Sequence, residues 1–367
     1  MTQSSDSKRE KMSADDVTAE GEAYPSRPRR LRFVDTPAPQ PGKTVPLAPG
    51  VDWGRVPLPI DLNHINVWLL DTGDGCVLVD TGMASEIVKD AWLLIDEEVL
   101  SQKPLRAIFI THIHPDHIGL ASWLQQRFAV PVLMSKRTHE QAQLLLGGKV
   151  TSANDEAEVF FRTNGIADLS TVRGMFSPAR FARLASGLPE VARHVTDEEV
   201  LQWGESGWVA LETNGHAEGH LCLFNARHEL LISGDQVLPT ISSNISFTWR
   251  GSDPNPLQSF LSSLRRLRDL PADTLVLPSH GLPFRGLHQR VDDLTQHHEE
   301  QLDKLANACT SPRTAAEIFP VMFRRELKGM HLYLALGEAL AHLEYLVHAG
   351  RVARHKDADG INRYVRV

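Results

Sequence analysis

Between His112 and His117 the sequence reads His-Ile-His-Pro-Asp-His, which packs three imidazoles and a carboxylate into six residues. Nitrogen and carboxylate donors at this density suit a divalent transition metal, zinc above all, with manganese or iron as further candidates. The apolar run Ala107 to Ile110 ends just before the cluster, which places it at the end of a predicted strand. Side chains two apart on extended backbone project the same way, so His112 and His114 can grip one ion. The turn Pro115-Asp116-His117 can aim Asp116 and His117 at a second ion a few ångströms away. The plainer alternative is a solvated polar loop, but such loops rarely gather imidazoles at a strand end.

Two half-sites need more donors, and four further segments supply them. Asp80 ends Val77-Leu78-Val79-Asp80, and His216 lies in a glycine-rich turn after the run Trp208 to Leu211. Asp235 ends Leu231-Ile232-Ser233-Gly234-Asp235, and His280 ends Leu275-Val276-Leu277-Pro278-Ser279-His280. In layered α/β proteins, functional groups collect beyond the carboxyl ends of strands, and every candidate here has that placement.

The elements that must hold these groups follow from periodicity. Strand-length apolar runs recur at Ile65 to Leu70, Cys76 to Val79, Ala107 to Ile110, Val132 to Met134, Trp208 to Leu211, Leu221 to Phe224, Leu230 to Ile232 and Thr274 to Leu277. Leu257, Phe260, Leu261, Leu264 and Leu267 share one helical face behind the start signal Asn255-Pro256. Strands mixed with helices predict an α/β (α+β) layered core over residues 51–286. Residues 1–50, polar and then proline-rich, read as a disordered or extended tail with order beginning near Val51. Residues 139–195 show helical patches and no clear strand, so they read as a helical insertion. In residues 287–367, helices precede a predicted hairpin around Asp357-Ala358-Asp359-Gly360, which suggests a small winged-helix-like module.

These motifs, in this order, resemble the metallo-β-lactamase superfamily over roughly residues 60–285. The resemblance implies an αββα sandwich, two β-sheets with outer helices, and a dinuclear site at one edge. It implies that His112, His114 and His216 hold the first metal, that Asp116, His117 and His280 hold the second, and that Asp235 bridges both. Asp80 would orient a ligand histidine by hydrogen bond. Two zinc ions would then lower the pKa of a shared water to give a bridging hydroxide near neutrality. Asp116 would orient that nucleophile and shuttle a proton.

Other residues carry plainer readings. His220, four positions after His216, reads as a buried histidine bracing the turn, and His64, just before the first strand, either lies near the site mouth or is structural or solvent-facing. His297-His298-Glu299-Glu300 reads as a solvated helical face. Cys76 and Cys222 read as core. Phe160, Phe161, Phe176 and Phe181 in the insertion could form an apolar substrate cap. The predicted helix His331 to Ala349 holds no Lys or Arg and is apolar on most sides, which suits burial or a homodimer interface better than DNA reading.

Composition narrows the class. The chain has 367 residues, 42% hydrophobic, and a net charge of -8, an ordinary globular balance that argues weakly against a constitutive nucleic-acid binder. Three cysteines make no disulfide framework, and a polar, mixed-charge N-terminus is no signal peptide, so a cytosolic protein is expected, with no membrane span. Within the superfamily, Asp235 and His280 are 45 positions apart, too close for an inserted nuclease domain. No flavin domain follows, and Asp235 stands where true β-lactamases carry Cys or Ser. Glutathione-contacting basic and tyrosine residues have no evident counterpart. Lactonases with a tyrosine shortly after the bridging aspartate are disfavoured, because residues 236–248 contain none. The expectation is a zinc hydrolase acting on an ester, thioester or lactone of a mid-sized, partly apolar small molecule. A single-strand-specific endoribonuclease is the alternative, disfavoured by an insertion with six basic and six acidic side chains between His139 and His194. A scaffold that merely keeps the fold would have little reason to retain seven ligands.

Overall fold

The computed structural model describes residues 31–59, 62–147, 153–170, 181–324 and 326–367. Its layering is written in the strands. Val67, Trp68, Leu69 and Leu70 are all buried, yet Val67 and Leu69 join one apolar cluster while Trp68 and Leu70 join another. Successive strand side chains point to opposite faces, so a strand apolar at every position is covered on both sides. The same split holds for Cys76 and Leu78 against Val77 and Val79, and for Leu231 against Leu230 and Ile232.

Two seven-stranded sheets result. The first runs in the order β2 (Thr44–Ala48), β3 (Val51–Pro57), β4 (His64–Asp71), β5 (Cys76–Val79), β6 (Leu105–Phe109), β7 (Val132–Met134) and β8 (Val191–His194). The second runs β1 (Arg32–Phe33), β14 (Phe284–Arg285), β13 (Leu275–Pro278), β12 (Leu230–Gly234), β11 (His220–Asn225), β10 (Trp208–Thr213) and β9 (Val200–Leu201). Between them lies a core of Trp53, Trp68, Phe109, Leu221, Leu223 and their neighbours, with the two indoles stacked at 6.1 Å. Fully burying side chains of this size contributes roughly 2–3 kcal/mol each.

Helices cover both outer faces. α1 (Glu86–Ile95), continued by a π-helical turn at Asp96–Leu100, α3 (Ala121–Phe128) and α4 (Lys136–Leu146) pack on the first sheet. α6 (Pro256–Leu267) covers the second with Leu257, Phe260, Leu261, Leu264 and Leu267, the face read from its spacing; the Asn255 side chain caps its start. Four layers, helix-sheet-sheet-helix, are therefore in place. Between α1 and α3, the short α2 (Pro115–Ile118) follows β6, and α5 (Ala153–Thr163) lies in the insertion.

Beyond the second sheet come α7 (Leu287–Ala308), α8 (Ala315–Met322), α9 (Met330–His348) and the hairpin β15 (Val352–Lys356) with β16 (Asn362–Arg366). Leu336, Leu340, Leu343 and Leu346 of α9 are buried in the same cluster as α6, so its apolar surface serves packing within the chain. The four hairpin arginines are engaged locally: Arg351 by Asp303, Arg354 by Glu344, Arg363 by Asp357 and Glu317, and Arg366 by Asn307.

Three expectations need correction. Ordered strand begins before Val51: β1 pairs with β14 and β2 pairs with β3. These strands are short edge strands, and β2 contains Pro46, so they show no apolar alternation. The insertion is not purely helical, because Val191–His194 adds to β7 as a parallel edge strand whose largely exposed side chains hid it. His298 is fully buried rather than solvated: its Nδ1 lies 3.1 Å from His342 Nε2 and its Nε2 3.1 Å from Ser242 Oγ.

Candidate metal centre

The ends of β5, β6, β10, β12 and β13 deliver Asp80, the His112–His117 segment, His216, Asp235 and His280 to one edge of the sandwich. Pro115 opens α2 at the position where its missing N–H costs nothing, and that turn brings Asp116 and His117 back toward His112. His112, His114, His216 and Asp235 form one group of converging donor atoms; Asp116, His117 and His280 form a second. Asp235 touches both. Its Oδ2 is 3.5 Å from His216 Nε2 and 4.0 Å from His112 Nε2, while its Oδ1 is 3.5 Å from His117 Nε2 and 3.6 Å from His280 Nε2. Asp116 Oδ2 closes the second group at 3.3 Å from His280 Nε2 and 3.5 Å from His117 Nε2.

Four of the five rings are held from behind. His117 Nδ1 donates to Asp80 Oδ2 at 2.8 Å, His216 Nδ1 to the Asn244 carbonyl at 2.8 Å, and His280 Nδ1 to the His64 carbonyl at 2.9 Å. His112 Nδ1 meets Thr111 Oγ1 at 3.0 Å, and that hydroxyl donates onward to Asp80. These bonds assign the tautomers and turn every Nε2 of the four inward. His114 instead presents Nδ1, 3.0 Å from His112 Nε2. Asp80 does this from a left-handed backbone (φ +63°), a conformation that is rare outside glycine and costs of order 1–3 kcal/mol.

The donors fit a cation on two observations. Among the described residues, His117 Nε2, His280 Nε2 and Asp235 Oδ1 are buried and make no hydrogen bond, although each faces its neighbours within 4 Å. Buried polar atoms are otherwise nearly always satisfied. The electrostatics agree. Burial opposes the charged form of His117, yet the carboxylates of Asp116, Asp235 and Asp80 overcome it and raise the imidazole well above its ordinary value. Burial would likewise raise the Asp235 carboxyl, but His117 and His280 outweigh it and hold it well below the usual range. His112 and His114, farther from the carboxylates, are pushed down by burial and by neighbouring imidazoles, His114 to about 3. The carboxylates thus favour positive charge beside His117, while His112 and His114 offer neutral nitrogens.

His220 is buried beside the turn. Its Nε2 accepts from the Asp235 N–H at 3.2 Å and its Nδ1 lies 2.9 Å from Thr213 Oγ1. Gly234 is required beside it: a Cβ there would come within 2.3 Å of His220 Nε2, and its φ is +52°. His64 is structural too, accepting the Gly281 N–H at 3.1 Å. Cys76 and Cys222 are buried. Thr111 and Gly281 are marked in the sequence only by standing next to His112 and His280, and nothing in the side-chain pattern marks Asn244, whose carbonyl does the orienting.

The aromatic cap does not assemble as expected. Phe161 is fully buried and packs on Tyr333, because the insertion docks on the C-terminal helices. Phe160 packs on Trp249, Phe181 belongs to the cluster under the first sheet, and Phe176 lies outside the described residues. Phe160, Phe247, Trp249 and Leu340 line a cavity of about 280 Å³ that includes none of the imidazole edge.

A family model described as the metallo-beta-lactamase superfamily matches residues 60–280. The chain belongs to that superfamily. A second model, the metallo-beta-lactamase-like C-terminal domain, matches residues 302–367. A solved structure of a beta-lactamase domain protein from Burkholderia ambifaria is 37% identical, with a TM-score of 0.83 over 92% of this chain and 97% of that one. A probable metallo-hydrolase from Bacillus subtilis, YqjP, is 25% identical over 80% of this chain and 90% of its own length. The human acyl-coenzyme A thioesterase MBLAC2 is 27% identical over 52% of this chain and 64% of its own length. The family and these relatives make the chain a hydrolase. Among the described residues, no helix is long and apolar enough to cross a membrane.

Proposed function

We propose that this superfamily hydrolase works as a dinuclear zinc enzyme that cleaves an ester, thioester or lactone of a mid-sized, partly apolar molecule. One observation carries the reading: the two oxygens of Asp235 face two separate donor groups, each with further imidazoles at 3.5–4.0 Å. His112, His114 and His216 would hold one cation and Asp116, His117 and His280 the other, with Asp235 between them. Bound there, the pair supplies Lewis acidity that acidifies water and polarises a carbonyl.

The protein's own groups do the rest. Asp80, Thr111, the Asn244 carbonyl and the His64 carbonyl fix the imidazole tautomers in advance, so no reorganisation is needed at the moment of reaction. Asp116 and Asp235 keep 14% and 10% of their side chains exposed while His117 and His112 are sealed, so an incoming molecule meets carboxylates at this edge. The Asp116 carboxylate, ionised because His117 and His280 overcome its burial, would take a proton from attacking water and return it to the leaving group. The likeness to an acyl-coenzyme A thioesterase supports the thioester among the three bond types.

The test is an assay panel of p-nitrophenyl esters, acyl thioesters, lactones and labelled single-stranded RNA, run beside metal analysis. Turnover of an acyl substrate with about two zinc per chain is expected. RNA cleavage abolished by Asp116→Ala with no acyl turnover, or full activity after exhaustive chelation, overturns the reading.

A further inference from the structure

The segment from Asp235 to Phe247 is gripped by the C-terminal helices over most of its length. Arg290 of α7, fully buried, donates from Nε to the Leu238 carbonyl and from a terminal nitrogen to the Ile241 carbonyl, both at 2.6 Å. Ser242 meets His298 of the same helix at 3.1 Å. From α9, the Gly337 carbonyl accepts the Phe247 N–H at 3.0 Å and Glu338 accepts from the Asn244 amide at 3.4 Å. Both ends of this loop touch the metal edge. It begins at Asp235, whose carbonyl accepts from Ser243, and it carries the Asn244 carbonyl that orients His216.

We infer that the C-terminal module is a positioning part of the metal site, with Arg290 as the residue that sets the loop on which Asp235 and His216 depend. A buried guanidinium is retained only where its donors are satisfied, and here two donors are fixed on backbone carbonyls of a strand-to-helix connection with no regular structure of its own. Gly337 points the same way. It sits inside α9, where glycine disfavours the helix by about 1 kcal/mol relative to alanine. A Cβ there would come within 2.6 Å of Ser246 Oγ and 2.8 Å of Ser246 Cβ, so the glycine serves the close approach of helix and loop.

This inference rests on the dinuclear reading, and cobalt(II) binding separates the two. Full-length wild type, Arg290→Met, Arg290→Lys, Gly337→Ala and the hairpin-core variant Val352→Ala are titrated with cobalt(II). The visible d–d spectrum and the thermal midpoint are recorded for each. Arg290→Met should weaken cobalt binding by about tenfold and shift the band, as loss of a group that orients ligands does. Arg290→Lys, which can reach one carbonyl, should recover part of the loss. Gly337→Ala should weaken binding in the same direction, and it decides the matter should Arg290→Met not fold. Val352→Ala should lower the midpoint and leave cobalt affinity and spectrum unchanged. Wild-type cobalt affinity and spectrum in both Arg290→Met and Gly337→Ala overturn the positioning role while leaving the dinuclear reading intact. A wild-type protein that takes up no cobalt overturns both.

Discussion

Two buried histidine clusters in this molecule look alike in composition and differ in what surrounds them. At the sandwich edge, the rings of His112, His114 and His216 pack with centroids 4.6–5.0 Å apart. Behind the 236–247 loop, His298 and His342 pack at 5.2 Å. In the second cluster all four ring nitrogens are satisfied. Ser242 donates to His298 Nε2, His298 Nδ1 donates to His342 Nε2, and His342 Nδ1 donates to the Glu338 carbonyl. At the edge, His117 Nε2 and His280 Nε2 are left without hydrogen bonds, facing Asp116 and Asp235. Buried imidazoles close on one another where hydroxyls and carbonyls complete the chain. Where carboxylates converge and ring nitrogens stay open, the arrangement asks for a cation.

Substitutions should separate the clusters most sharply at Asp235. Asp235→Asn removes one anionic oxygen from the junction of the two groups. It should cut turnover by about a hundredfold to a thousandfold, with loss of metal measured by elemental analysis. His298→Ala should do the reverse. It should lower stability by about 3 kcal/mol in denaturant unfolding, through the cavity and the stranded Ser242 and His342 groups, while zinc content falls far less than in Asp235→Asn, since His298 reaches the metal edge at one remove, through Ser242.

The pH response sharpens the contrast further. Burial pushes His342 down to about 4, and burial with the neighbouring imidazoles pushes His298 well below its ordinary value. Groups that protonate less readily folded than unfolded lend stability above the unfolded pKa, near 6.5, and lose it as pH falls toward the folded value. Zinc-loaded protein should therefore lose up to about 3 kcal/mol between pH 6.5 and 4 on account of His342. His342→Gln should flatten that slope, measured by unfolding free energy against pH. The smallest effect is expected at Asp80→Asn, which keeps the side-chain shape but weakens the hold on His117. Zinc affinity should fall about tenfold to a hundredfold in competition with a chelator.

Much of the edge was legible from the sequence because its donors are local to strand ends. Asp80, His112, His216, Asp235 and His280 each follow a run apolar enough to be read as a strand, and β5 and β7 have the expected bounds. What stayed hidden depends on distant partners or on absent patterning. His298 looked solvated because its partners, Ser242 and His342, lie 56 and 44 residues away. Arg290 has contacts to backbone carbonyls that no side-chain pattern announces. The edge strands β1, β2 and β8 carry few buried side chains, so alternation had nothing to record. Phe161 was identifiable as apolar, but whether it faces substrate or core depends on how the insertion docks on α9.

The most direct test of the dinuclear reading is anomalous diffraction at the zinc edge from crystals grown with zinc. Two peaks on opposite sides of the Asp235 carboxylate are predicted, one among His112, His114 and His216 and the other among Asp116, His117 and His280. A single peak, or two peaks that leave Asp235 uncoordinated, contradicts it.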